Sequence, residues 1–303
     1  MRNRFVPVLL VAAFASGCSN PAAHQDAITK FHDATTAVIA NAKATYASVN
    51  QAERQHFVAQ QILQRKAIDP TALENVDVLS AGEIAMRTNA LDVLAKYADL
   101  LAQLAVVPTT SSAKTKTAGM QQALTDLTSG FDQLTGSNSA NFQGRVKSVV
   151  PLLGSALQAF ENAKTVAALK KAVADAGKPV NELIAALETD MQLARARQRT
   201  FLSGQRADAF KKYNADLAAN SPAPALRADA DAILQMEDQW DAFASNSPVA
   251  GLEAMKKAYA ALADFAGKPK PSPADFAGLL AEVDSFSNAA KQVGLAAKTF
   301  IGK

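Results

Sequence analysis

Ser111-Ser112-Ala113-Lys114 fits the S-x-x-K spacing that lets a lysine activate a serine nucleophile. That chemistry also needs a second serine motif and a K-T-G strand. Lys116-Thr117-Ala118 lacks the glycine, and no stretch reads as a sheet. The bland reading, a polar loop or helix cap, is preferred. The histidines are His24, His32 and His56, and no two stand at H-x-x-x-H spacing, so no metal is expected. Asp229 and Asp231 begin like a calcium loop, but Ile233 takes the next ligand position and the needed glycine is missing. Glu237 and Asp241 lie one helical turn apart, a spacing open to acid–base work, but a solvated helix face is the preferred reading. There is no G-x-S-x-G elbow, P-loop or G-x-G-x-x-G, so no cofactor is implied. No catalytic constellation stands out, so an enzyme is not the leading expectation.

Charge segregation is sharper. Arg195, Arg197, Arg199, Arg206, Lys211 and Lys212 crowd one stretch, and Asp229, Asp231, Glu237, Asp238 and Asp241 crowd the next. An antiparallel hairpin turning near Ser221 would bring Lys211 towards Asp231 and Arg199 towards Asp241. Internal pairing then explains the pattern, and exposed pairs contribute only ~0–1 kcal/mol each. The functional alternative gives Arg195, Arg199, Arg206 and Lys211 to lipid phosphates or a partner.

The N-terminus carries a different signal. Arg2 and Arg4 precede an apolar run over residues 5–15, which at ~1.5 Å per residue crosses only about half of a ~30 Å hydrocarbon core. A signal-peptide core fits better than a membrane span. Ala15-Ser16-Gly17-Cys18 follows, and Cys18 is the only cysteine. This stretch resembles the lipobox of bacterial lipoproteins, with Ala15 where leucine is commonest. The resemblance implies cleavage before Cys18 and acylation of its thiol and new amine. Ser19, in place of the aspartate that favours inner-membrane retention, implies the periplasmic face of the outer membrane. Two or three acyl chains anchor stably, at ~0.8 kcal/mol per buried methylene.

Losing residues 1–17 removes two arginines. Lys+Arg then falls from 31 to 29 against 28 Asp+Glu, so the formal charge of +3 becomes +1. The basic character largely disappears, and nucleic acid is not an expected partner.

Frequent alanine, 6% aromatics, and prolines and glycines in clusters point to an all-α protein. Helices are expected over residues 24–64, 81–105, 113–135, 141–176 with Pro151 as a kink or restart, 179–219, 225–245, 246–266 and 274–301. In the first, Ile28, Phe31, Val38, Ala42, Val49, Ala52 and Leu63 mark an apolar seam on three-and-four spacing, interrupted by Thr35, Thr45 and His56. Gly177-Lys178-Pro179 reads as a stop and restart. The expected architecture is an elongated bundle of about eight helices, two of about 40 residues. Its domains would be a signal peptide over 1–17, a lipidated linker over 18–23, and two helical domains or halves over 24–176 and 177–303. The tetrapeptide Ala-Gly-Lys-Pro at 176–179 and again at 266–269 raises the idea of a duplication. The functional expectation is a lipid-anchored scaffold or adaptor that binds another envelope protein. The alternatives are a lipoprotein giving immunity to a periplasmic toxin, and a helical binder or enzyme acting on envelope material.

Overall fold

The computed structural model describes residues 21–106, 110–131, 140–163, 165–245 and 247–301. Every regular element there is a helix: α1 (Pro21–Gln64), α2 (Pro70–Glu74), α3 (Ala81–Val106), α4 (Thr110–Phe131), α5 (Ala140–Asn162), α6 (Val166–Ala218), α7 (Ala223–Ser245), α8 (Pro248–Gly267) and α9 (Pro273–Ile301). The all-α expectation holds. Only α2, with five residues, is short, and the two longest helices are α1 with 44 and α6 with 53. Cys18 and the stretch before it lie outside the described residues.

Local chemistry sets many of the ends. Asp69 accepts from the Thr71 N–H and Pro70 fills the first turn of α2. Ser80 and Glu83 form a reciprocal capping box on α3. Ser272 and Asp275 do the same for α9, and the Lys268 ammonium and Ser272 hold the Asp275 carboxyl well below the usual carboxylate range. Helix α1 ends on Arg65 with φ of 52°, and Lys66 N–H returns to the Gln61 carbonyl.

One expected boundary is wrong. Helix α6 runs unbroken through Gly177-Lys178-Pro179, and the chain instead breaks before it, where Thr165 caps with its side chain on the Ala168 N–H. The reason is packing. A Cβ built on Gly177 would lie 2.4 Å from Ala263 Cβ of α8, so Gly177 serves close helix approach rather than termination. Val180, Leu183, Ile184 and Leu187 follow and are fully buried. Their burial outweighs the loss of the hydrogen bond that Pro179 cannot donate. Pro151 likewise sits within a continuous α5.

One apolar core joins α1, α3, α4, α5, α6, α8 and α9. The α1 seam is buried from Phe31 to Val49, Thr35 and Thr45 included. At one level Phe31 meets the edge of Tyr259 at 5.2 Å and packs on Phe286 at 5.6 Å. Tyr97 packs on Tyr259 at 5.3 Å and on Phe160 at 5.9 Å. Cross-helix bonds give the directions. His32–Asp99 and Lys43–Asp92 set α3 antiparallel to α1. Tyr46–Asp190 and Ser48–Gln198, together with His56 on Phe201, set α6 parallel to α1. The core uses α6 only as far as Ala194 and takes nothing from α7. Gln198 and Phe201 still lie against α1, and beyond them α6 pairs with α7 as a two-helix arm. Leu217 is exposed there.

Candidate interaction surface on the α6–α7 arm

The arm turns where Asn220 adopts a left-handed φ of 54° and the Ser221 N–H bonds back to the Asp216 carbonyl, a glycine-free helix stop. Pro222 and Pro224 then set the entry to α7. The two helices are antiparallel, as the charge pattern predicts, but the partners differ from those expected. Arg206 Nε donates to Glu237 at 2.5 Å, and Lys212 donates to Asp229 and Asp216. Neither Lys211–Asp231 nor Arg199–Asp241 forms an ion pair; Arg199 and Lys211 are both exposed.

Arg206 does more than pair. Its guanidinium lies 5.9 Å from the Phe210 ring centre and 5.8 Å from that of Trp240. The bond to Glu237 pushes its pKa up. Arg195 sits deeper, donating to the Phe243 carbonyl at 2.8 Å and stacked on its ring at 4.1 Å. Burial pulls its pKa down. Arg195 and Arg206 therefore hold the arm together, while Arg199 and Lys211 face outward. Sequence reasoning grouped four cations that the fold divides into two pairs with different tasks.

The arm also exposes large apolar side chains: Phe210 at 41%, Leu217 at 51% and Leu234 at 63%. They are three of the seven large apolar side chains exposed among the described residues. Nothing in the sequence alone marks these three as exposed, since spacing does not report exposure.

Three other places carry polar chemistry. The first is a buried centre that the sequence did not disclose. Arg87, 2% exposed, forms a bidentate pair with Asp190 at 2.7 and 2.8 Å and donates to the Glu83 carbonyl at 2.9 Å. Tyr46 donates to the same Asp190 at 2.8 Å. Burial first, then the Asp190 charge, pushes the Tyr46 pKa well up. This centre locks α1, α3 and α6 in register. Residues 46, 87 and 190 are too far apart in sequence for spacing to reveal it. The second is a groove of about 580 Å³ between the end of α1 and the α2–α3 region, floored by Val58, Ile62, Leu73 and Ile84 with Arg54–Asp77 at its edge. The third is His32, whose Nε2 lies 2.9 Å from Asp99.

The remaining sequence candidates are placed as follows. His56 packs edge-on against Phe201 at 5.6 Å. Asp229 is buried under Lys212. Ser111–Lys114 fall in the first turns of α4, with side chains outside the described set, as is the side chain of His24. Among the described residues no three His, Cys, Asp or Glu side chains gather to hold a metal, and no helix is long and apolar enough to cross a membrane.

No family model, curated protein or solved structure matches this chain significantly.

Proposed function

We propose that the protein is a lipid-anchored helical scaffold on the periplasmic face of the outer membrane, and that it holds another envelope protein through the α6–α7 arm. The observation that carries this reading is the arm itself. Its outer faces add nothing to the core, yet ion pairs and arginine stacking join its two helices, and it displays apolar side chains. The geometry fits an anchor at Cys18. Helix α1 starts at Pro21, and its Phe31 packs on Tyr259, one turn from the Ala263 that faces Gly177. From Gly177 to Ala218 the parallel helix α6 rises ~60 Å at ~1.5 Å per residue. An anchor at the start of α1 therefore leaves the arm tip far from the anchoring surface. That distance weighs against the arginines meeting the phosphates of the same membrane and supports a protein partner.

Two measurements test the proposal. Metabolic labelling with a fatty acid should mark the wild type and not Cys18→Ala, and only the wild type should fractionate with membranes. Photocrosslinkers at positions 199 and 234 should capture a reproducible envelope protein other than a second copy of this chain, while one at the exposed Lys171, at the opposite end, should not. Label-free wild-type protein, or identical captures at both ends, would refute the scaffold reading.

A further inference from the structure

We infer that the arm is also a homotypic contact: two copies pair arm to arm, side by side, about a twofold axis parallel to the arms. This goes beyond the scaffold reading and stands without it.

The face is marked by the Arg206–Glu237 bridge. One turn towards the tip from Arg206 is Phe210; one turn towards the tip from Glu237 is Leu234. Leu217 lies two turns beyond Phe210 on the same stripe. Arg199 lies two turns before Arg206 on that stripe, and Asp241 lies one turn past Glu237 counted from the tip. One side of the hairpin thus carries Arg199, Phe210 and Leu217 on α6 beside Asp241 and Leu234 on α7. All five are exposed.

Their heights match across the hairpin. Because 206 pairs with 237 and 212 with 229, position 199 stands level with about 243, and 210 with about 232. A twofold axis along the arm lays α6 of one copy over α7 of the other at unchanged height. Arg199 of each copy then meets Asp241 of the other, and Phe210 of each meets Leu234 of the other. Charge and apolar surface both find complements, twice over. An antiparallel pairing would set Arg199 against the tip and lose the match. The parallel arrangement also points both N-termini the same way. The face is about 30 Å long and two helices wide, which is small for a specific interface, so a Kd in the micromolar range is expected.

The test is sedimentation velocity of the full chain in detergent over a concentration series. Wild type should show a monomer–dimer equilibrium. Arg199→Glu and Asp241→Arg should each be at least tenfold weaker in self-association, because each homodimer would oppose like charges twice. Mixed together, the two variants should dimerise, since that heterodimer restores both opposite-charge contacts. Leu234→Glu should abolish association with any of them. Circular dichroism of each variant should match the wild type, as all three positions are exposed. A wild type that stays monomeric throughout, variants that dimerise like it, or a mixture that stays monomeric would each overturn the inference.

Discussion

Replacing Gly177 by alanine tests the packing argument most directly. A Cβ there would sit 2.4 Å from Ala263 Cβ, whereas ordinary carbon contacts begin near 3.4 Å. Helices α6 and α8 would have to separate by roughly 1 Å over their shared interface, where overpacking costs about 1–3 kcal/mol. Alanine also removes a glycine from a helix interior, a gain of roughly 0.5–1 kcal/mol. The net expectation is a loss of about 1–2 kcal/mol. Urea denaturation followed by circular dichroism measures it as a lower midpoint at unchanged slope. Ala263→Gly alone should also destabilise, by about 1 kcal/mol, through helix propensity. Combined, the two substitutions should cost less than their sum by about 1–2 kcal/mol, because the clash is gone. An alanine variant as stable as the wild type, or strict additivity in the double variant, would refute the claim that Gly177 sets the helix separation.

The buried centre gives the largest expected effect: Arg87→Met leaves Asp190 without its bidentate partner and should cost about 3–5 kcal/mol, while adding Asp190→Leu should recover most of it, as read by thermal denaturation. Tyr46 predicts an alkaline limit. Its pKa is raised on folding, so the folded state holds the phenolic proton longer than the unfolded chain does, and stability is full below about pH 10 and falls as pH rises above it. Tyrosinate absorbance should show Tyr46 ionising together with the loss of helicity, and Tyr46→Phe should shift that transition; ionisation well before unfolding would contradict the burial argument. On the arm, Arg199→Glu should leave stability within about 0.5 kcal/mol, whereas Arg206→Glu, which faces Glu237 and leaves the Phe210 and Trp240 rings, should lower the thermal midpoint measurably.

Much of this protein was legible in the order of its residues. Alanine content and three-and-four apolar spacing are local properties, and they suffice for helices and for the buried face of α1 from Phe31 to Val49. The reversal near Ser221 was legible too, because clustered prolines and opposite charges on the flanking stretches both demand an antiparallel pair. The choice of ion partners was not. Side chains 3.6 to the turn point in directions that a register estimate alone does not resolve, so Arg206 and Lys212 took the inner positions and Arg199 and Lys211 the outer ones.

The repeated Ala-Gly-Lys-Pro shows where the division falls. At 266–269 the tetrapeptide ends α8, because Lys270-Pro271-Ser272-Pro273 follows and the Ser272–Asp275 box begins a new helix. At 176–179 the same four residues continue α6, because Val180, Leu183, Ile184 and Leu187 follow and go into the core. The two copies lie side by side, with Gly177 against Ala263 and Gly267 near Ala174. The sequence alone determined helices and a polarised hairpin. Only the tertiary structure decided that a glycine and a proline would be carried inside a helix, since burial supplied by distant residues outweighs what four neighbours prefer locally.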